Sequence, residues 1–207
     1  MLLKIGSNSK LGKSIASFNL PAISTCPGRT SFCENLCYAD KGFFSMPSIK
    51  KAYATAKDEA DSDTFADKIN GELKSKPSIK AVRIHASGDF YSTEYLAKWT
   101  AIAAANPDVR FWAYTRCWRL QDFHDPLAAF AALPNVQLFA SLDQETKASE
   151  TPPSWMRTAD LVPKWDQTPQ DTVECPNQKN KEITCEKCTY CFKPEGVRKR
   201  HVVFAAH

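Results

Sequence analysis

Apolar and polar residues alternate along three short stretches in the middle of the chain: Ala81 to Ala86, Val109 to Thr115 and Val136 to Ser141. A two-residue period puts successive side chains on opposite faces of an extended segment, so each stretch predicts a strand. Between them the period changes. From Ser92 to Ala105, Tyr95, Leu96, Trp99, Ile102 and Ala103 recur on one helical face, and from Asp122 to Leu133 so do Phe123, Leu127, Phe130 and Ala131. The strand centres Ile84, Trp112 and Phe139 lie 28 and 27 residues apart. That is the spacing of successive βα units, which lay down parallel strands. Asn106-Pro107-Asp108 and Leu133-Pro134-Asn135 supply the helix-to-strand turns.

The flanks extend the pattern. Ser14 to Leu20 predicts a first strand, Ser48–Ala60 and Thr64–Lys74 two helices, Thr158 to Val162 a fifth strand and His201 to Ala206 a sixth. Ser149 to Asn180, rich in Pro, Thr, Gln and Asn, is expected to be mostly loop. Val82, Ile84, Ala86, Val136, Leu138 and Ala140 share an apolar face. Arg83, His85, Ser87, Gln137, Phe139, Ser141 and Asp143 share the other, and Arg110, Trp112, Tyr114 and Arg116 fall together on one side of the third strand. If helices cover the apolar face, the polar one lines a lumen. Such a lumen is costly unless its groups are paired or bind something, which favours a partly open barrel around a ligand.

A chain of 207 residues, 43% hydrophobic and 24% charged, fits one folded domain over 1–207. The most apolar stretch, Leu127 to Leu142, is interrupted by Pro134, Asn135 and Gln137, and the first residues hold no apolar run of signal-peptide length. The expectation is a cytoplasmic protein without membrane contact. The net charge of +4 has an address: between Cys175 and His201 stand seven Lys/Arg against three acids, and the rest of the chain is neutral. Those bases read either as a solvated loop or as partners of an anionic centre or substrate.

Eight cysteines change the picture, because seven fall in two groups and only Cys117 stands alone. Clustered thiols in a reducing compartment point to metal before disulfide. Cys26, Cys33 and Cys37 share one loop after the first candidate strand, with no histidine inside it. Three thiolates can hold three irons of a cubane and leave the fourth open to substrate, whereas structural zinc would need a distant fourth ligand. Cys185, Cys188 and Cys191 have C-x2-C-x2-C spacing, with Cys175 as a fourth thiol. That set predicts a closed [4Fe–4S] cluster, with zinc as the alternative, in a cysteine-rich insertion over about 170–195 before the last strand.

Gly6 to Ser14 imitates a phosphate loop, but five residues separate Gly6 from Gly12 where the motif requires four. Ser87-Gly88-Asp89 ends the second of the six strands. There Gly88 would let a ligand approach the backbone, and Asp89 could hold a cationic amine.

The combination resembles the radical S-adenosylmethionine (SAM) superfamily. Over nearly the whole chain, Cys-Pro-Gly…Cys-Glu-Asn-Leu-Cys-Tyr-Ala, the Ser-Gly-Asp-Phe turn and the late cysteine triplet also resemble a phage family called gene product eighty-eight. The resemblance implies a partial (βα)6 barrel with a [4Fe–4S] cluster on Cys26, Cys33 and Cys37. SAM would be held near Tyr38, Ser87, Gly88, Asp89, Ser141 and Asp143. An auxiliary cluster on Cys175, Cys185, Cys188 and Cys191, an external electron donor and a location in host cytoplasm would complete the picture. The C-x6-C-x3-C spacing differs from the usual C-x3-C-x2-C, Leu36 replaces the aromatic residue before the last cysteine, and Gly-Asp replaces Gly-Gly-Glu. The expected activity is reductive cleavage of SAM and hydrogen abstraction from a substrate, anionic or a nucleic acid in keeping with the basic tail. Arg83, His85, Trp112, Tyr114, Arg116 and Gln137 are the candidate lumen contacts. The alternatives are a metal-stapled nucleic-acid-binding module and an iron–sulfur electron carrier.

Overall fold

The computed structural model describes residues 1–6, 8–163, 172–193 and 201–205. Within these residues eight strands form one sheet: β1 (Lys4–Ile5), β2 (Ile15–Phe18), β3 (Ala81–Ile84), β4 (Arg110–Thr115), β5 (Val136–Leu142), β6 (Arg157–Val162), β7 (Thr172–Glu174) and β8 (His201–Ala205). Their order across the sheet is β1-β2-β3-β4-β5-β6-β8-β7. Among the described residues only the β1–β2 pair is antiparallel. Six strands coincide with the expected six and stand in sequence order. Two were not anticipated: the short edge strands β1 and β7. Among the described residues β1 and β7 remain edges, so the sheet is an open, mostly parallel one and not a closed barrel.

The helices are α1 (Ser31–Asn35), α2 (Pro47–Asp61), α3 (Phe65–Ser75), α4 (Thr93–Ala105), α5 (His124–Ala131), α6 (Gln144–Ser149), α7 (Pro176–Lys179) and α8 (Cys185–Cys188). The four expected helices are α2 to α5. Ser92 starts α4 by accepting the Tyr95 N–H at 3.2 Å, the usual capping role of a serine. The expected loop over 149–180 is corrected by β7 and α7, which lie within it.

The alternation in the strands sorts as the sequence implies. Ala16, Phe18, Val82, Ile84, Phe111, Ala113, Val136, Leu138 and Ala140 face the helices and pack on Phe65, Ile69, Tyr95, Leu96, Trp99, Leu127 and Phe130. Burial of each large side chain there stabilises the fold by roughly 1.5–3 kcal/mol.

The opposite face is not the open polar lumen that alternation suggested. Ile15, Ala81 and Trp112 pack with Cys185, Cys191 and Phe192, while Phe139, Ala159 and Val202 pack with Cys188, Tyr190 and Cys191. Topology accounts for this. The helical crossovers step across the sheet in one direction, from β2 to β6, but the β7-to-β8 connection steps back. Crossovers between parallel strands are nearly always right-handed, so one that reverses direction runs over the other face. That connection carries the late cysteines.

Candidate functional site

The loops leaving β2, β3, β4 and β5 meet at the C-terminal edge of the sheet, and the three-cysteine loop is fastened onto the others. Thr30 caps α1 by accepting the Cys33 N–H at 2.9 Å, and its hydroxyl donates to Asp143 at 2.7 Å. Glu145 accepts from the Ser31 hydroxyl at 2.5 Å and the Phe32 N–H at 3.0 Å. Arg119 donates to the Gly28 carbonyl at 2.8 Å and pairs with Glu150. The Tyr38 hydroxyl donates to the Ala86 carbonyl. A Cβ on Gly28 would overlap the Arg116 carbonyl, so only glycine lets the loop lie flush there.

The Ser87-Gly88-Asp89 turn braces the same loop. The Leu20 N–H donates to the Ser87 carbonyl, the Ser87 hydroxyl to the Leu20 carbonyl, and the Asp89 N–H to the Thr25 carbonyl. Gly88 has φ of +84°, and a Cβ there would stand 2.6 Å from both Leu20 Cβ and Thr25 Oγ1. The two oxygens of Asp89 accept the Phe90 and Arg116 backbone N–H groups, each at 2.8 Å. Burial raises its pKa against those bonds. Asp143 is likewise engaged: it caps α6, and it lies 2.8 Å from the Arg116 guanidinium. The Ser141 carbonyl accepts from the Trp118 indole at 3.2 Å. Leu36 and Tyr38, on either side of Cys37, are exposed, as are Phe43 and Met46 further along the chain.

Cys26, Cys33 and Cys37 are half-buried neighbours that interact electrostatically. Burial, helped by Asp89, pushes Cys26 up to about 12. Burial also raises Cys33, although Arg116 pulls the other way. Cys26 and Cys33 are therefore protonated near neutral pH in the metal-free chain, and a metal would displace their protons.

The other four thiols sit on the face of the sheet away from the helices. Cys175, Cys185, Cys188 and Cys191 line one cavity with Val173, Tyr190 and Val202; it encloses about 380 Å³ of atom-free space, part of it open to solvent. Burial raises Cys185 against the charges of Arg83 and Lys10, and lifts Cys191 to about 12 against a hydrogen bond with Tyr114. Among the described residues no three His, Cys, Asp or Glu side chains are drawn together tightly enough to hold a metal ion.

Of the expected lumen contacts, Trp112 lies against Phe192 with ring centres 5.1 Å apart, and Arg83 lies over the Tyr114 ring at 5.5 Å. Gln137 accepts from Arg157 at 3.5 Å and Arg116 belongs to the C-terminal edge. His85 is a correction. Its φ of +68° breaks the alternation and turns the ring toward the helices, where Nε2 lies 2.8 Å from the Tyr95 hydroxyl. Burial, then the charge of Arg83, lowers its pKa to about 3, so it is a neutral core residue.

The imitation phosphate loop has an internal anion. The Lys13 and Ser14 N–H groups donate to the Glu186 carboxylate at 3.0 and 3.2 Å. Lys179 is paired with Glu174 and Lys187 donates to the Glu182 carbonyl. Of the other five bases, Lys181 and Lys193 are among the described residues, and Arg198, Lys199 and Arg200 lie outside them. No helix among the described residues is long and apolar enough to cross a membrane.

Sequence reading missed Thr30, Arg119, Glu145 and Glu150, which fasten the first loop, because their partners are 31 to 114 residues away. A local signal existed for one of them: Asp143 and Thr146 form a capping box that would have placed α6 and Glu145 in its first turn.

The chain is thus a mixed α/β protein with a mostly parallel sheet and seven cysteines in two groups. The profile described as gene product 88 matches residues 1–202, and the chain belongs to that family. It is 34% identical over 128 residues to the Gene 88 protein of Mycobacterium phage L5 and 33% identical over 128 residues to that of Mycobacterium phage D29. Each match covers 54% of this chain and 51% of the relative, so the similarity spans about half the length of either phage protein. No solved structure matches this chain.

Proposed function

We propose that this chain is a small radical SAM enzyme, with its six consecutive parallel strands arranged as that superfamily's partial (βα)6 barrel. The observation that carries the reading is the position of Cys26, Cys33 and Cys37. They sit on the loop after the first parallel strand and are fastened by contacts to the loops after the second, third and fourth. Three neighbouring loop thiols suit a [4Fe–4S] cluster with one open iron, while the nearby Cys117 is buried and donates to the Phe90 carbonyl at 2.9 Å. Such a cluster, when bound and reduced, supplies the electron that cleaves SAM to methionine and a 5′-deoxyadenosyl radical.

The chain's own residues shape and orient. Asp89 and Asp143 spend their carboxylates on bracing the ends of β4 and β5, so their role toward SAM is positioning and not direct capture. Ser87 and Gly88 keep the turn tight under the first loop, Ser141 sits at the end of β5, and Tyr38 and the exposed Leu36 offer apolar surface beside Cys37. Since the cysteine-rich crossover fills the face away from the helices, substrate would approach across the C-terminal edge. An external electron donor, an anionic or nucleic-acid substrate and action in host cytoplasm belong to the same reading.

The test is anaerobic loading with preformed [4Fe–4S] clusters, followed by SAM and a chemical reductant. The expected products are methionine and 5′-deoxyadenosine, lost in Cys26→Ala, Cys33→Ala and Cys37→Ala. An iron-loaded protein that leaves SAM intact, or a single variant that cleaves it at the parent rate, overturns the reading.

A further inference from the structure

The late cysteines occupy a place that alternation alone would leave polar. Cys175, Cys185, Cys188 and Cys191 all line the cavity between the β7–β8 crossover and the sheet. The sequence spacing allows zinc or iron there, and metal analysis separates the two. Zinc held by four sulfurs at about 2.3 Å brings them within about 3.8 Å of one another. Here the four thiols line one cavity, which places four ligand sulfurs around a shared space. A cubane instead spreads its four ligand sulfurs around a core of eight atoms.

The surroundings of the cavity ask for negative charge. Arg83 projects from β3 toward it, and its guanidinium interacts electrostatically with Cys185 and Cys191. Its Nε is buried without a hydrogen-bond partner. Arg83 also lies over the Tyr114 ring, and a half-buried cation beside neutral thiols gains a compensating charge when those thiols carry an anionic cluster. Lys10 adds a second positive charge near Cys185, and Tyr114 hydrogen-bonds Cys191.

We propose that the four-thiol cavity holds a closed [4Fe–4S] cluster, that Arg83 is its counter-cation, and that the cluster forms the core of the sheet's second face. Transfer of a preformed core from a thiolate-ligated donor breaks four S–H bonds in the chain and forms four Fe–S bonds. The four protons pass to the four departing thiolates, and no electron moves. Four thiolates on a 2+ core leave a charge of about −2, which Arg83 and Lys10 offset. The proposal stands apart from the reading of the first loop. Iron in a chain lacking Cys26, Cys33 and Cys37 reports on the late thiols, while 5′-deoxyadenosine from the parent reports on the early ones.

The experiment loads the full-length triple variant C26A/C33A/C37A anaerobically with the 2-mercaptoethanol-ligated [4Fe–4S] cluster. The expected result is about four irons and four sulfides per chain. A reduced-state electron paramagnetic resonance signal indifferent to SAM should accompany them. Loading should also slow backbone hydrogen exchange across 10–14 and 185–192. In the same background Arg83→Gln should keep the iron and lower the reduction potential, because a lost positive charge disfavours the added electron, and Arg83→Lys should restore it. One zinc and no iron, or no metal, overturns the cluster. An unchanged potential in Arg83→Gln overturns the counter-cation, and unchanged exchange on loading overturns the core role.

Discussion

The Arg116 guanidinium lies 2.8 Å from the Asp143 carboxylate, joining the end of β4 to the cap of α6. Thr30 donates to the same carboxylate, so one buried acid holds three loops of the candidate site together. Asp143→Ala should cost about 3–5 kcal/mol in urea unfolding, because it strands a buried arginine. The double variant with Arg116→Met should cost less than the sum of the singles. Although burial would raise the Asp143 pKa, Thr30 and Arg116 hold it below the usual value. A carboxylate with a depressed folded pKa contributes stability above its unfolded pKa of about 4 and loses it as the pH falls through the folded value. Additive single and double variants would refute the coupling.

His85 gives the protein a second acid sensitivity in a milder range. Its folded pKa of about 3 lies below the ordinary value of 6.5. The unfolded chain therefore binds the proton first, and stability falls as the pH drops below about 6.5. From pH 6.5 to 5 the loss should approach about 2 kcal/mol, at about 1.4 kcal/mol per pH unit. His85→Gln should flatten that part of the stability–pH curve, and an unaltered slope would remove His85 as its source.

Gly28 and Gly88 hold the first cysteine loop down from two sides. A methyl at Gly28 overlaps the Arg116 carbonyl, and one at Gly88 meets Leu20 and Thr25 at a φ of +84°. Gly88→Ala should destabilise by at least about 2 kcal/mol, combining backbone strain with overpacking. Gly28→Ala should lift the loop. Iron bound at Cys26, Cys33 and Cys37 should fall several-fold, with iron at the late cysteines unchanged. Metal analysis in backgrounds lacking one thiol group or the other separates the two, and equal losses at both would point to general unfolding.

Glu186 links the late cysteines to the start of the chain. Its carboxylate accepts the Lys13 and Ser14 N–H groups, while the Cys185 N–H donates to the Lys10 carbonyl at 2.7 Å. Glu186→Ala should cost about 1–2 kcal/mol, the value of leaving such donors unmatched at a partly exposed site. Faster proteolysis should follow within 8–14, and cleavage at the parent rate would show that the link is dispensable.

The strands were legible because each of the six is long enough to alternate and each central pair is joined by one helix. Residues β1 and β7 contribute are two and three in number, too few for a period, and their pairing depends on neighbours far along the chain. The cysteines were legible as groups because spacing is local. What surrounds them was not. Arg83 and Tyr114 read as lumen-facing side chains, which is correct for the face. That the lumen is filled by residues about a hundred positions later followed only from the reversed crossover. His85 was misplaced because a single left-handed residue resets the alternation, and no residue type in His-Ala-Ser announces one.

Strand order has a consequence for synthesis. β8 pairs between β6 and β7, yet it follows both in the chain. As the chain leaves the ribosome from its N-terminus, all four late thiols emerge before the strand that locks their crossover in place. Because β7 pairs with β8 alone among the described strands, neither end of the cysteine-rich segment is held by the sheet during that interval. The nascent protein thus passes through a stage in which its late thiols are open to a cluster carrier that the finished fold would largely shut out.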